Sequence, residues 1–316
     1  MNYAELLTRA LAISWRHRYL WLLALLSGEA AMSGLQNVQG APGRQNGASP
    51  VFAGGRGSEL TAWLAAHAAL LWGAAIAFAL VLIMLLLVSA VANGAVVRAA
   101  AEHDGERRFG LRPAWRAGVQ TFWPVLRIKL LSIAVVFATL IAVGSLALLA
   151  FAAARAGNAG LAIAAGAGAG LLFLLAIPFW IVFSVAVLLA VRGIVLDGNR
   201  PLAALGGAFA LIRRRLGRVA LVWLLAAAAG IVGGIGVAIA VLVVALPLAG
   251  LVVGAYLAAG VPAAVAVGSL GGLVGVAVLL ALSGALGAFT STLWTLSYSR
   301  FDEEPQPVPA GSPMPA

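Results

Sequence analysis

The sequence contains no cysteine, a single lysine (Lys129) and only three histidines, His17, His67 and His103. Lack of cysteine excludes disulfides, thiolate nucleophiles and cysteine-ligated zinc or iron–sulfur centres. A zinc site needs at least three converging ligands, and three scattered histidines supply no such set, so no metal and no cofactor is expected. Charge is scarce as well. Only 9% of the 316 residues are Asp, Glu, Lys or Arg, against roughly a quarter in soluble domains. Too few charged side chains remain to cover the surface of a water-soluble globule. No G-x-S-x-G, H-E-x-x-H or P-loop pattern occurs, so serine hydrolase, zincin and ATPase chemistry have no motif to rest on. The chain is read as a non-enzyme.

What is abundant is apolar sequence, 63% of the chain. A helix crossing about 30 Å of hydrocarbon needs roughly 20 apolar residues. Six runs qualify, at 19–35, 71–97, 126–151, 161–191, 219–248 and 267–296. None alternates with a period of two, so the spans are expected to be helices rather than barrel strands. The first run, shortest of the six, begins after Arg16-His17-Arg18 and has a second reading. With Gly28 and Ala30 as small residues before a cut it also fits a signal peptide, whose removal would leave five spans in the same orientation.

The basic residues set the expected orientation. Seventeen of twenty lie on one side of this arrangement: Arg9, Arg16 and Arg18; Arg98, Arg107, Arg108, Arg112, Arg116, Arg127 and Lys129; Arg192, Arg200, Arg213, Arg214, Arg215 and Arg218; and Arg300. Arg44, Arg56 and Arg155 fall on the other. The positive-inside rule then places both termini in the cytoplasm. Arginine in place of lysine, with abundant Ala and Gly, points to a GC-rich bacterial coding sequence and hence to an inner (plasma) membrane. The net charge of +10 does not imply nucleic acid, because the basic residues flank the spans instead of forming a folded face. The segment at 33–58 is rich in Gly, Asn, Gln and Pro, and Ser58 reads as a helix N-cap. After the six-helix domain of 1–300, residues 301–316 form a proline-rich cytoplasmic tail with Asp302, Glu303 and Glu304.

A unit is repeated three times. Residues 5–15, 112–123 and 201–212 have amphipathic helical patterns, each ending in a basic cluster before a span. Asp104-Gly105 and Asp197-Gly198 precede the second and third copies and predict tight reversals with Gly at positive φ. In the third copy Leu202, Leu205, Phe209 and Ile212 step by three or four, which predicts one apolar face lying in the membrane surface. Arg213, Arg214, Arg215 and Arg218 follow and are the candidate contact for anionic lipid headgroups. The expected fold is all-α: a polytopic integral membrane protein with six transmembrane helices in three hairpins and cytoplasmic interfacial helices.

Groups able to carry chemistry are few. Ionisable residues are absent from the central thirds of spans two to six, where proton- or ion-coupled transport would place them. Glu29 lies toward the outer end of the first run and reads as solvated, with His67 near the same interface. His103, Asp104 and Glu106 form a polar knot beside Arg107, Arg108, Arg112 and Arg116, read as a salt-bridged, solvated loop. Asn93, Ser132, Ser145, Ser184, Thr290, Ser291 and Thr292 read as interhelical glue. The G-x-x-x-G pairs Gly166/Gly170, Gly230/Gly234, Gly250/Gly254, Gly268/Gly272 and Gly271/Gly275 support close packing within the chain first and a homo-oligomer second. Pro178 and Pro247 predict kinks, and Gly260-Val261-Pro262 is assigned to a short outer loop.

The start from Leu6-Leu7 through Trp15-Arg16-His17-Arg18-Tyr19-Leu20-Trp21, with the stretches Arg192 to Gly198 and Ala204 to Arg215, resembles prokaryotic six-span membrane proteins of unknown function. These are often grouped with the membrane domain that accompanies some glycerophosphodiester phosphodiesterases. The catalytic barrel of such enzymes has no counterpart here, so the resemblance carries over no catalytic residue. The resulting expectation is a structural or accessory membrane component whose partners are the bilayer, anionic headgroups and a second membrane protein or copy of itself. The alternative is a transporter or permease subunit for an uncharged or lipid-like substrate.

Overall fold

A computed structural model describes residues 3–28, 63, 66–107 and 109–301. Within them the chain is helical, as α1 (Tyr3–Arg16), α2 (Tyr19–Ser27), α3 (Ala68–Asp104), α4 (Leu111–Gln120), α5 (Phe122–Arg155), α6 (Ala159–Asp197), α7 (Pro201–Arg214) and α8 (Leu216–Phe301). By length and composition four of these, α3, α5, α6 and α8, can cross a membrane. The short helices α1, α4 and α7 occupy the three positions where amphipathic patterns recur. The loop at 33–58, Ser58, Glu29, Arg108 and the tail from Asp302 lie outside the described residues.

The core sits at one end. Its members are the last third of α3 (Ala90 to Ala100), the last third of α6 (Val185 to Val195), the end of α8 (Ala288 to Leu296), and Leu20, Leu23 and Ala24 of α2. The short helices close it from below through Leu6, Ala10 and Ile13 of α1, Ala114 of α4, and Ala204, Ala208 and Ile212 of α7. Away from this end the long helices carry large apolar side chains outward, Leu70, Phe78 and Met84 of α3 and Ile163 and Leu174 of α6 among them, each more than half exposed. Helices that are apolar all round and exposed are stable only where lipid replaces water.

Several local expectations are corrected. The chain at 249–266 is helix, and the only break in the 86 residues of α8 is Gly260, at φ 76 and ψ −165. That conformation excludes a side chain, and Pro262 just beyond it can begin a new helical arm because its missing N–H has no bond to lose. A one-residue break therefore reverses what was assigned to a loop. At Asp197-Gly198 the predicted reversal is present, with Gly198 at φ 70. At Asp104-Gly105 it is displaced: Gly105 keeps φ −76, and Glu106 takes the left-handed conformation at φ 57.

On α7 the outward row holds except at Ile212, and the inward face is built mainly from small residues. Ala204, Ala208 and Ile212 are buried, whereas Leu202 is 74% exposed and Phe209 is exposed too. Small residues allow the backbone of α7 to approach α6, and the larger apolar side chains are left for the membrane surface. The G-x-x-x-G pairs make few close approaches, and an added Cβ at Gly170, Gly230, Gly250, Gly254, Gly272 or Gly275 would meet nothing within 4 Å. Gly271 is the exception, pressed against the Leu248 side chain; the other tight crossings lie outside these pairs, between Gly94 of α3 and Gly118 of α4 and between Gly284 of α8 and the Trp21 backbone.

Candidate functional site

Polar chemistry is gathered at the packed end, in a rim of charges and two inner cations, one half-buried and one buried. On the rim, Asp104 at the end of α3 forms ion pairs with Arg9 Nε of α1 at 2.6 Å and with Arg300 Nη2 of α8 at 3.8 Å. Arg9 also donates to the Asp104 carbonyl at 2.6 Å. One carboxylate thus ties the first, middle and last helices. Glu102 is taken by Arg98 at 2.8 Å and Arg107 at 3.2 Å. The polar knot is salt-bridged, as expected, but it joins helices instead of forming a solvated loop, and Arg112 and Arg116 have no ion-pair partner among the described residues. Asp104→Asn is expected to lower the stability of the detergent-solubilised protein by about 0.5–1 kcal/mol, as partly exposed pairs do. The gap should shrink at high salt in thermal unfolding.

Beside this knot the imidazoles of His17 and His103 stack with centroids 3.7 Å apart. Tyr19 Oη and His103 Nε2 share a hydrogen bond of 2.6 Å, and the same hydroxyl lies 3.3 Å from the Phe109 carbonyl oxygen as a donor. Burial first, then the positive charge of Arg16, holds His17 below its ordinary 6.5. The unfolded chain therefore binds more protons, and the stability gained from a neutral His17 is present above pH 6.5 and lost as pH falls through the depressed folded value. Thermal midpoints should fall over that window, and His17→Phe should flatten the slope.

The first of these cations is Lys129 of α5, which is half-buried. Its ammonium donates to the carbonyl oxygens of Ser27 and Ser89, both at 3.1 Å, and to Ser89 Oγ. Ser89 Oγ in turn donates to the Ser27 carbonyl at 2.7 Å. Ser89 precedes Arg98 by nine residues in α3, about 14 Å along the axis. The ammonium is thus well inside the apolar zone, at the C-terminal end of α2, which closes at Gly28 with φ 80 after nine residues. Asn93 lies one turn along α3, 7% exposed, and its Oδ1 has no hydrogen-bond partner among the described residues.

Arg192 of α6 is the second, with no exposed surface. It donates to the Leu188 carbonyl at 2.7 Å and the Ser291 carbonyl at 3.2 Å, fastening α6 to α8. Assigned from sequence to a cytoplasmic loop, it is instead inside the packed end. Its signal was the polar run Ser291-Thr292 in an apolar helix, which had been read as generic glue.

Two recesses open at the rim. One, of about 850 Å³, lies between α3 and α4 and is lined by Arg98, Glu102, Arg112, Trp115, Arg116 and Gln120 among others. The second, about 340 Å³, lies between α6, α7 and the end of α8, against Asn199, Arg214, Arg215 and Tyr298. Tyr298 Oη donates to Asp197 at 2.5 Å. Of the expected headgroup contacts, Arg213 and Arg214 are exposed and Arg215 and Arg218 half-buried, without ion-pair partners among the described residues. His67 stacks on Trp63 at 4.7 Å at the far end of α3, about 39 Å of helix from Asn93. Those two residues do not converge. Among the described residues no three His, Asp or Glu side chains come together as a metal site.

No curated protein and no solved structure matches the chain. The model of a family of unknown function, DUF7544, matches residues 6–298. With all but the ends covered, the chain belongs to this family of unknown function.

Proposed function

We propose that the chain is a six-span component of a bacterial inner membrane, with both termini in the cytoplasm, acting without catalysis as a structural or accessory partner. The observation that carries this reading is the use made of its two deep cations. Lys129 and Arg192 are engaged in helix-to-helix bonds, as expected of a bundle built to hold its shape. Intramembrane charges that face no path act as fasteners. The break at Gly260 divides α8 into two arms, each longer than the ~20 residues of a crossing. Together with α3, α5 and α6 they make five, and the run at 19–35 is assigned as the sixth, although its described helix α2 covers only nine residues and the rest of the run lies outside the described residues. Arg213, Arg214, Arg215 and Arg218 are assigned to anionic headgroups at the cytoplasmic surface. The resemblance to membrane domains that accompany phosphodiesterases agrees with an accessory role.

The absence of cysteine makes the test clean. In intact cells a membrane-impermeant maleimide should label Gly157→Cys, in the turn between α5 and α6, and should reach Gly105→Cys and Gly198→Cys only after permeabilisation. Labelling of 105 and 198 from opposite sides would overturn the topology.

One observation favours the alternative, a transporter subunit for an uncharged or lipid-like substrate. Helix α2 stops after nine residues with its last carbonyl on a cation, and transporters use such half-helix ends at their binding sites. Vesicles reconstituted with the protein and a fluorescent phospholipid decide between them. Flipping no faster than in protein-free vesicles retires the transport of lipid-like molecules; faster flipping that Lys129→Met abolishes establishes it.

A further inference from the structure

We infer that the recess between α3 and α4 binds the phosphate of an anionic phospholipid headgroup from the cytoplasmic leaflet, held by Arg112 and Arg116. The inference rests on the proposed orientation and concerns a different site from the arginines that follow α7. Around α4 each residue advances 100°, so side chains four apart fall into stripes. Ala114 and Gly118 form a buried stripe against α3. Leu111, Trp115 and Val119 form a second, 44%, 37% and 54% exposed. Arg112, Arg116 and Gln120 form the third and line the recess.

The charges in the recess do not cancel. Its one carboxylate, Glu102, is already bonded to Arg98 and Arg107, which leaves the guanidinium groups of Arg112 and Arg116 without an anion among the described residues. Guanidinium groups present paired N–H donors that match phosphate oxygens. About 850 Å³ of space is ample for a headgroup phosphate with its glycerol. The neighbouring stripe selects a lipid over free phosphate. Leu111, Trp115 and Val119 would cost free energy if left in water, and lie one step round the helix from the arginines, where the acyl chains of a lipid bound by its phosphate would run.

The full-length protein, purified in mild detergent from vesicles of phosphatidylcholine mixed with phosphatidylglycerol, should retain phosphatidylglycerol in native mass spectra. The double variant Arg112→Gln/Arg116→Gln should weaken that retention about tenfold or more. Arg16→Gln/Arg18→Gln, at two exposed arginines with no assigned role in binding, removes equal charge and should weaken it much less, and Arg112→Lys/Arg116→Lys should restore it only in part. Equal losses in the two Gln pairs, or no loss in the first, overturns the site. Wild-type protein supplies a reading independent of variant folding: its thermal midpoint should rise with phosphatidylglycerol over phosphatidylcholine alone and not with inorganic phosphate. No rise, or an equal rise with phosphate, overturns the lipid assignment. Since maleimide labelling tests orientation separately, failure here with the expected labelling removes this site and leaves the topology standing.

Discussion

Lys129→Glu is expected to leave less folded protein than Lys129→Met, which is expected to fold with a stability lower by about 1–3 kcal/mol. The ammonium directs donors at three oxygens, the carbonyls of Ser27 and Ser89 and the Ser89 hydroxyl. Methionine fills much of the same space and removes the donors, while the Ser89 hydroxyl still donates to the end carbonyl of α2. Glutamate instead faces those oxygens with acceptors of its own. A proton on the carboxyl would supply one donor where the ammonium supplies three, and an ionised carboxylate would have to be desolvated against repulsion. For this half-buried site that is expected to add about 1–2 kcal/mol to the cost of Lys129→Met, a large share of the ~5–15 kcal/mol that separates folded from unfolded domains. The monodisperse fraction on size-exclusion chromatography and the thermal midpoint in detergent measure the order. Ser89→Ala should cost about 1 kcal/mol, since both carbonyl acceptors remain. A Lys129→Glu protein as stable as Lys129→Met would show that the ammonium does not close α2.

Neither the engagement of Lys129 nor the burial of Arg192 was legible, and the reason is physical. Hydropathy weighs each residue with its chain neighbours, and both cations stand near the end of an apolar run, where a solvated flank is the usual environment. Engagement and burial are decided by partners far along the chain: Ser27 and Ser89 for Lys129, Ser291 for Arg192, 99 residues away. The apolar runs themselves were legible, because a length near 20 residues without alternation leaves the backbone few other ways to satisfy its hydrogen bonds in lipid. Their ends were less so, and helices α3, α5 and α6 extend beyond the runs at both ends. For α7 the periodicity located an amphipathic helix and an outward row on which Leu202 and Phe209 are indeed exposed, but it did not single out Ala204 and Ala208 as the packed face, and Ile212 of that row is buried with them. Size, which sets how near two backbones can come, decides the inward face, and the spacing of the large residues does not report it. The recess was missed for a related reason. Arg112 and Arg116 stand close in sequence to His103, Asp104 and Glu106 and were paired with them, whereas Asp104 is taken by Arg9 and Arg300 from the two ends of the chain.

The same rule of size gives the second large effect, at the crossing of α3 and α4. A Cβ built on Gly118 would overlap the Val91 carbonyl oxygen and stand 3.1 Å from both the Cβ and the backbone nitrogen of Ala95. These are main-chain atoms of a helix or atoms rigidly attached to it, so relief requires moving a whole helix. At Gly94 the overlap is with Thr121 Oγ1, a side-chain atom that can rotate away, although the Gly118 Cα stands 3.2 Å off. Alanine gains up to about 1 kcal/mol of helix propensity over glycine, and overpacking typically costs about 1–3 kcal/mol or more. The clash therefore outweighs the propensity at Gly118, and the two terms come closer to balance at Gly94. Thermal midpoints should fall in the order Gly94→Ala, Gly118→Ala, Gly118→Val, the last with a large loss of folded protein. Displacing α4 also carries Arg112 and Arg116 away from Arg98, so Gly118→Ala should reduce phosphatidylglycerol retention without touching any arginine. A midpoint for Gly118→Ala at or above the wild type would mean that α4 is not pressed against α3 there, and the recess would lose the wall that gives it shape.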